Sequence, residues 1–474
     1  MSEGRARRVT WNSLSLSSAE ILSRVFTWVT LLVLARYWSR DYYGQYAIAV
    51  NWVMILSTLT GLGFGSLAVR DVSHDRSLSN FYLRNIIQVR ILTTLVSLVV
   101  LAVVGPALHY EPVLCTALLV MGLRLIFEAP SNGYIMLFQA HEKMAYTGLV
   151  SLGGAFLRMA GIVAVAYLGG EMVGACWVWV AASALSLVFL WAHGRKQGWR
   201  VDWKEARWKD MWGILVRSIP FAAFGTFQML YYRVDAVILK SFSGNEMVAL
   251  YDMAGRFLFV VFMLSDHFGI ATLPVYSIVR DRPDEIARVM TRSLKFLIMA
   301  GLPITVGGFL LAGPLMTVLL GSRYSGAGPA FSVLAISIVL HFASKAPVNL
   351  LAVKDVKRLT TVFMTLFILN VAANFYAIPH WGLMGAAWVS SACEMLFLGW
   401  VLWIVRSYLL FSKFGVGRGM VASILASAVM GSGIFRDPRL YWIIAGPLIY
   451  ILCLWVFRAF DSEDVSSLKS LTKV

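Results

Sequence analysis

Long apolar segments separated by short polar connections make up most of this chain. Crossing the hydrocarbon core of a bilayer takes about 20 mostly apolar residues, and fourteen segments of this kind follow one another along the sequence. They lie near 12–36, 45–66, 86–107, 113–138, 146–168, 173–193, 213–239, 248–273, 293–312, 328–352, 359–378, 383–405, 417–435 and 440–459. The pattern predicts an all-α polytopic membrane protein with about fourteen transmembrane helices, of which the first and the seventh are the least hydrophobic.

The basic residues in the connections predict how these helices are oriented. Cytoplasmic loops of membrane proteins retain Lys and Arg. With the N-terminus inside, the cytoplasmic connections and termini hold 25 Lys and Arg, and the opposite loops hold five. Those five are Arg40, Lys240, Arg323, Arg436 and Arg439. This alternation predicts an even number of spans, with both termini in the cytoplasm.

Composition agrees with a membrane protein, since apolar residues make up 59% of the chain and charged residues 14%, against about 45–50% and 25% in soluble proteins. The 41 Lys and Arg outnumber the 25 Asp and Glu, which suits anionic lipid or an anionic substrate, and the hydrophobicity argues against nucleic acid. The four cysteines lie in or beside apolar segments without C-x-x-C or metal-ligand spacing, so we expect no disulfide and no structural metal. The basic N-terminus lacks an apolar h-region and an A-x-A site, so we expect the first helix to be retained.

The segment 194–212 is the only long internal connection, with four Trp interleaved among six basic residues. Indole rings and basic side chains favour the headgroup region, so we expect a cytoplasmic interfacial linker, although an ordinary basic loop is an equal alternative. Its position after six spans predicts an N-terminal bundle at 1–193 and a second six-helix bundle at 213–405. Two further helices and a short cytoplasmic tail then occupy 406–474.

Two stretches at corresponding places of the two halves are alike. LLVLARYWSRDYYGQYAIAV (31–50) closes the first helix and opens the second, and DAVILKSFSGNEMVALYDMAG (235–255) does the same for the seventh and eighth. Transporters are often built from two similar bundles. The echo hints at an internal repeat, with chance similarity as the alternative.

The same regions resemble a known family. ARYWSRDYYGQYAIAV (35–50) followed by GLGFGSLAVRDVS (61–73) is similar to the N-terminal signature of bacterial polysaccharide-unit flippases of the multidrug/oligosaccharidyl-lipid/polysaccharide exporter superfamily. SIPFAAFGTFQMLYYRVDAVILKSFSGNEMVALYDMAGRF (218–257) looks like that family's seventh and eighth helices. The resemblance implies two bundles arranged as a V in the bacterial inner membrane. It also implies a cationic central cavity for an undecaprenyl-diphosphate-linked oligosaccharide such as an O-antigen unit.

Charged residues inside the spans are the candidate site residues, because each costs about 2.5–3.5 kcal/mol at the bilayer centre unless it faces a cavity or a partner. Three helices carry an acid and a base four residues apart and therefore on one face: Glu20 with Arg24, Arg124 with Glu128, and Asp252 with Arg256. The first pair lies in a helix rich in Ser and Asn, which we interpret as a cavity wall. The other two are equally well explained as neutralising pairs.

Arg158 has no acidic neighbour at helical spacing, so it needs a partner in another helix or a polar cavity. With Arg24, it is the leading candidate to bind the diphosphate that the resemblance implies. By contrast, Arg90, Arg217 and Lys295 lie near the cytoplasmic boundary, where we expect their long stems to snorkel to water. No function is assigned to these three.

His341 and Lys345 share one face of the tenth helix without a carboxylate nearby in sequence, so they form a candidate second phosphate-facing patch. Asp266 and Glu394 are candidates for ion coupling. The alternative for both acids is a neutral carboxyl group hydrogen-bonded to a neighbouring helix.

Arg233 and Asp235 lie near the outer end of the seventh helix, where they are candidates for gating, for binding or for a plain interfacial position. Asn349, Asn370 and Asn374 supply the hydrogen-bonding groups that a sugar requires. Amides at such positions equally hold helices together.

These residues lead to one hypothesis of mechanism. Basic side chains from both bundles offset the cost of bringing a diphosphate into low dielectric, and one bundle then rocks against the other. The residues concerned are chiefly Arg24, Arg158 and Lys345, with Arg124 and Arg256 in support and His341 beside them. No G-x-x-x-x-G-K-[ST] motif is present, so we expect neither ATP hydrolysis nor a cofactor, and proton, sodium or product consumption stay open as driving forces.

Three other functions compete with this hypothesis. A multidrug or other lipid exporter of the same superfamily would favour an acidic cavity for cationic compounds. A membrane-embedded glycan polymerase or glycosyltransferase would need a large external loop, whereas the longest outer loop here is 313–327. A structural membrane protein would have no reason to keep unpaired arginines at bilayer depth. The expected partners are the lipid-linked oligosaccharide, membrane lipid, a glycan polymerase and other polysaccharide-assembly proteins.

Overall fold

The computed structural model describes residues 3–61, 64–203, 207–409, 416–457 and 459–460, and within them the side chains of 3–18, 66, 217, 219–221 and 416 are not described. These ranges are built from α-helices and short turns without a β-strand. The helices are α1 (Glu3–Tyr37), α2 (Arg40–Gly61), α3 (Phe64–His74), α4 (Ser79–Ala107), α5 (Pro112–Ala140), α6 (Met144–Tyr167), α7 (Met172–Lys196), α8 (Trp208–Ile278), α9 (Pro283–Leu320), α10 (Ala327–Lys354), α11 (Val356–Ile404), α12 (Val416–Arg436) and α13 (Trp442–Val456). The all-α prediction is therefore confirmed.

Two of these helices are interrupted by one glycine with a positive φ. Gly244 in α8 has φ +78° and Gly382 in α11 has φ +51°, values that glycine adopts without steric cost. In α11 the contacts across the break pair residues symmetrically: the rings of Phe363 and Phe397 are 4.8 Å apart, and Asn370 Nδ2 lies 3.9 Å from the Cys393 sulfur. The helix is therefore an antiparallel hairpin with two arms, 356–381 and 383–404.

With both hairpins divided at their glycines, each of the fourteen predicted spans coincides with one helix or one arm. Nine helices in the described ranges are long and apolar enough to cross a membrane, among them the two that contain hairpins. Within the described residues α2 extends to Gly61 and α3 begins at Phe64, so the second predicted span, 45–66, includes the first residues of α3. Phe64, Leu67, Ala68 and Val72 of α3 pack into a hydrophobic core, at the spacing of one helical face.

The chain divides into two compact units, Met1–Arg233 and Val234–Val474, with the boundary inside α8. The predicted linker at 194–212 lies within the first unit, because α7 continues to Lys196 and α8 already begins at Trp208. Burial of Trp199 explains why this segment belongs to the first unit. Its side chain is 4% exposed and packs 4.8 Å from the ring of Phe138, in the same core as Met211 and Ile214.

The C-terminal helices α12 and α13 pack against α9 in the second unit. Ala426, Met430 and Leu454 form a hydrophobic core with Met299 and Leu311. Tyr450 fastens this core, since its hydroxyl donates to the carbonyl oxygen of Met299 at 2.6 Å. The two helices are therefore part of the second unit rather than a separate appendage.

Candidate functional site

Two arginines of the first unit lie against one indole ring. The guanidinium carbon of Arg124 on α5 is 4.5 Å from the centroid of the Trp179 ring on α7, and that of Arg158 on α6 is 4.7 Å from it. A cation over an indole face is stabilised by about 2 kcal/mol when it is desolvated. We call Arg124, Arg158, Trp179 and Glu128 the arginine cluster.

Local packing holds this cluster in place. The indole N–H of Trp179 donates to the hydroxyl of Tyr46 at 2.9 Å, which orients the ring. Gly154 leaves room for the second guanidinium, because a Cβ there would lie 3.2 Å from Nη1 of Arg158 and 3.4 Å from the hydroxyl of Ser186. The cluster thus depends on Trp179 and Gly154, two residues that the sequence alone did not identify as candidates.

The arginine cluster carries excess positive charge. Oε1 of Glu128 lies 3.3 Å from Nε of Arg124, as the four-residue spacing predicts, and accepts from the hydroxyl of Ser183 at 3.5 Å. Within the described residues the cluster therefore holds two guanidinium groups and one carboxylate. A second anion would be strongly favoured there, since the interior of a helix bundle screens charge poorly.

Buried guanidinium N–H groups without acceptors also indicate that an anion would be favoured here. Nη1 of Arg124 and Nε of Arg90 make no hydrogen bond to any described residue, although both side chains are buried. Buried polar groups in proteins nearly always have a partner, so orphaned N–H groups suggest a missing acceptor such as a ligand oxygen.

Arg24 occupies a different setting on α1. Its guanidinium lies 3.7 Å from the Glu20 carboxylate, and the two side chains are 55% and 44% exposed. Ser23 instead faces α6, with its hydroxyl 3.5 Å from that of Ser151. The polar residues that precede Ala19 have side chains outside the described residues. The predicted pair therefore forms on the exposed side of α1.

The snorkelling prediction is wrong for two of its three residues. Arg90 is 8% exposed and Lys295 is fully buried, because the surrounding helices leave their stems no path to the surface. Lys295 packs against Gly419, where an added Cβ would lie 2.6 Å from its Cε. The side chain of Arg217 lies outside the described residues.

A second group of ionisable side chains lies in the second unit. The His341 ring stacks on Phe262 with centroids 3.7 Å apart and planes within 7° of parallel. Its Nε2 lies 3.6 Å from Asp266 Oδ1, and its Nδ1 lies 3.8 Å from Glu394 Oε2. Lys345 Nζ approaches the same Asp266 oxygen to 2.5 Å. We call His341, Lys345, Asp266 and Glu394 the histidine cluster.

The histidine cluster joins candidates that the sequence presented separately. Its two carboxylates come from α8 and from the second arm of α11, and its two bases come from α10. Helical spacing along α10 alone gives no sign of these acids. Lys345 and His341 therefore have carboxylates around them, whereas in the arginine cluster two guanidinium groups share one carboxylate.

The remaining charged candidates each have a close partner. Arg256 Nε lies 2.5 Å from Asp252 Oδ2 within α8, as expected of a neutralising pair. Arg233 donates to the side-chain oxygen of Asn51 at 3.2 Å in the first unit.

Asp235, two residues after Arg233, belongs to the second unit and is 4% exposed. Its carboxylate accepts from the hydroxyl groups of Tyr251 and Ser390, the latter at 2.9 Å. Tyr251 lies across the Gly244 turn from Asp235, so these bonds link the arms of the α8 hairpin to α11.

Two of the three asparagines contact a second helix or arm, since Asn370 reaches Cys393 of the other α11 arm, whereas Asn374 bonds within its own arm. The Asn349 amide on α10 donates to the carbonyl oxygen of Gly269 on α8 at 2.7 Å. Asn374 donates to the side-chain oxygen of Asn370 at 3.0 Å, and both amides are buried in the second unit. The four cysteines are free thiols.

Comparison with known proteins identifies the family of this chain. The family model described as "Polysaccharide biosynthesis protein" matches residues 9–279, more than half of the chain. The chain belongs to this family. The resemblance seen in the motif regions 35–50, 61–73 and 218–257 is thereby confirmed.

A curated relative is the probable flippase AglR of Haloferax volcanii, 28% identical over 169 residues, which cover 34% of this chain. The match spans about a third, 35%, of that relative's length.

Solved structures share the fold. The lipid II flippase MurJ in an inward closed conformation superposes with a TM-score of 0.77 over 94% of this chain and 98% of that chain, at 16% identity. An inward-facing multidrug resistance MATE transporter of the MOP superfamily gives 0.66 over 81% of this chain and 95% of its own, at 12% identity. A MOP superfamily transporter from Pyrococcus furiosus gives 0.62 over 85% and 96%, at 11% identity. The protein is thus a multi-pass membrane protein with the fold of these transporters.

Proposed function

We propose that this protein is a flippase that moves an undecaprenyl-diphosphate-linked oligosaccharide from the cytoplasmic to the outer leaflet by alternating access. The observation that carries the proposal is the arginine cluster, in which Arg124 and Arg158 share the Trp179 ring beside the single carboxylate of Glu128. Membership of a polysaccharide biosynthesis family supports it, as do a relative named as a probable flippase and a shared fold with a lipid II flippase.

A diphosphate suits this cluster chemically. Guanidinium groups stay protonated and bind phosphate oxygens in bidentate fashion. The unsatisfied Nη1 donor of Arg124 would be satisfied by such an oxygen, and the two negative charges would offset the excess positive charge. An exporter of cationic compounds would need the opposite polarity, so this observation favours an anionic substrate.

In the proposal, Arg24 provides a further cation, since its loose pair with Glu20 leaves the guanidinium exposed. In this proposal no direct phosphate contact is assigned to Lys345, His341 and Arg256. Each of these side chains already has a carboxylate within 4 Å. We assign the histidine cluster to ion coupling, with Asp266 and Glu394 as the proton-exchanging groups. Glu20, Arg233, Asp235 and Asp252 act as gating or structural contacts.

The substrate proposal is tested by transport in proteoliposomes. A fluorescent undecaprenyl-diphosphate disaccharide is reconstituted with the protein, and dithionite quenching reports the fraction that reaches the outer leaflet. Arg158→Gln and Arg124→Gln should each slow transport at least about tenfold, because hydrogen bonds to charged groups contribute about 1.5–3 kcal/mol. Arg282→Gln, which removes an exposed arginine paired with Glu285, is the matched control. Wild-type rates in both cluster variants would refute the proposal.

Ion coupling is tested separately in the same vesicles. Collapse of the proton gradient with an ionophore should slow transport by the wild type, whereas the Asp266→Asn variant should be slow with or without the gradient. A transport rate that follows the sodium gradient alone would assign the coupling ion differently. Equal rates without any gradient would point to product consumption.

A further inference from the structure

The open end of the α11 hairpin forms a groove of about 410 Å³. Its lining combines two arginines, two tryptophans, a hydroxyl group and two aliphatic side chains. The residues are Arg358, Thr361, Val362, Trp400, Trp403, Ile404 and Arg406, which we call the hairpin groove.

The groove lies where a membrane interface is expected. Each arm of α11 is long enough to cross a hydrocarbon core about 30 Å thick. Because the arms are antiparallel, the beginning of the first arm and the end of the second lie side by side, one helix length away from Gly382. Both ends carry basic residues that the charge asymmetry assigns to the cytoplasmic side.

The groove has one charged end and one apolar wall. Arg406 lies with its guanidinium carbon 5.0 Å from the Trp403 ring, and no carboxylate of the described residues pairs with it. Trp403 is 61% exposed, in the position where indole rings favour lipid headgroups. Trp400 lies about one turn deeper in the second arm than Ile404 and extends the lining toward the hydrocarbon side.

We propose that the hairpin groove binds one anionic phospholipid of the cytoplasmic leaflet. Arg358 and Arg406 would bind the headgroup phosphate, and one acyl chain would lie along Trp400 and Ile404. Charge complementarity selects this occupant, because two exposed guanidinium groups at an interface attract anionic lipid. The site belongs to one hairpin of the second unit and needs no transport activity, so it goes beyond the proposed function.

Asp355 supplies an internal competitor for this site. Its carboxylate caps α11 by accepting from the backbone N–H of Arg358 at 3.1 Å, and it also lies 3.3 Å from Nε of the same arginine. Asparagine is an equally good N-cap residue. Asp355→Asn should therefore keep the helix start and release the Arg358 guanidinium for the lipid.

Native mass spectrometry of the full chain in nanodiscs of phosphatidylcholine with 20 mol% phosphatidylglycerol, roughly the surface charge of an anionic leaflet, measures the bound lipid. Arg358→Gln with Arg406→Gln should weaken retention of one phosphatidylglycerol roughly thirtyfold, equivalent to about 2 kcal/mol, while Asp355→Asn should tighten it. The matched control, Arg282→Gln with Arg439→Gln, removes two other exposed, ion-paired arginines and should retain the lipid as the wild type does.

Three outcomes would overturn the proposal. Unchanged retention in the double variant would show that the groove does not hold the lipid. Equal loss in the control would show that net charge alone attracts it. Displacement of phosphatidylglycerol by equimolar undecaprenyl diphosphate would assign the groove to the polyprenyl substrate instead. The single variant Arg406→Gln, with one exposed change, gives an independent reading if the double variant elutes as aggregate.

Discussion

At the residue scale, the arginine cluster depends on how closely two like charges approach each other. Arg124 and Arg158 repel each other across Trp179, and Glu128 attracts both. The indole ring and the carboxylate offset part of this repulsion. The rest favours an anion, so small displacements of either guanidinium should weaken binding.

Gly154 offers such a displacement with a neighbouring control. Gly154→Ala places a Cβ 3.2 Å from Nη1 of Arg158, whereas Gly153→Ala meets nothing within 4 Å. We expect Gly154→Ala to weaken binding of undecaprenyl diphosphate about tenfold and Gly153→Ala to leave it unchanged, both measured by native mass spectrometry. Equal affinity in the two variants would contradict the role given to Arg158.

His141, in the turn after α5, should make stability depend on pH. Burial, followed by the charges of Arg76 and Lys143, lowers its pKa below the usual value of about 6.5. The unfolded chain therefore binds the proton more readily than the folded one, and stability present above pH 6.5 is lost as the pH falls toward the lowered pKa.

This dependence is checked by thermal unfolding between pH 7.5 and 5.5. Wild-type protein should lose stability relative to His141→Gln as the pH falls, because protonation places a charge on a partly buried ring beside Arg76 and Lys143. His74→Gln, at an exposed position, is the control and should follow the wild type. Parallel curves for all three proteins would rule out this effect of His141.

Part of the site was predictable from spacing at this scale, and part was not. The four-residue spacing correctly placed Arg124 beside Glu128 and Arg256 beside Asp252. No local pattern distinguishes Trp179 from an ordinary core aromatic. The partners of Lys345 lie in other helices, so only the packing brings Asp266 to it.

At the scale of elements, the turns at Gly244 and Gly382 show why hydropathy identified the spans but did not predict how two of them are joined in one hairpin. Hydropathy separated both arms of α8 and α11, because polar residues surround Gly244 and because Pro379, His380 and Gly382 interrupt the apolar pattern of α11. It gave no sign that the connection is a single residue, since the sequence does not distinguish Gly244 and Gly382 from glycines with helical φ.

Close packing of the α11 arms gives a test. A Cβ on Gly385 would lie 2.4 Å from the carbonyl oxygen of Ala377, whereas one on Gly399 meets nothing within 4 Å. Gly385→Ala should destabilise the protein by about 1–3 kcal/mol through a forced backbone shift. Gly399→Ala should be neutral or stabilising by up to about 1 kcal/mol.

Thermal unfolding in detergent compares these two variants with the wild type. A melting temperature that falls for Gly385→Ala alone is the expected result. If both variants melt at the wild-type temperature, the arms are less closely packed than the contacts indicate.

At the scale of the whole molecule, the charge asymmetry predicts which face each loop occupies. The connection that contains Asp281 belongs to the basic, cytoplasmic set, and the loop that contains Ser325 belongs to the opposite set. Asp281→Cys should react with a membrane-impermeant maleimide only in inside-out vesicles, and Ser325→Cys only in right-side-out vesicles. The wild type, with its native cysteines, gives the background, and the reverse labelling pattern would invert the predicted topology.

The number of spans and the family were predictable at this scale, because both depend on hydropathy and on motif regions that lie within continuous helices. The sequence predicts a linker between two bundles at 194–212. In the structure Trp199 and Met211 of that segment pack into the core of the first unit, and the compact units divide inside α8. Burial of single aromatic residues in loops has no periodic signal.

The single-glycine turns bear on how the chain enters a membrane. The hairpin closed by Gly382 carries His380 as the one ionisable side chain at its tip, so little hydration is lost when the tip is driven through the hydrocarbon layer. Its paired arms satisfy their own backbone hydrogen bonds from the start. The α11 hairpin can therefore enter the membrane in one two-helix step, with its basic open end retained on the side of synthesis.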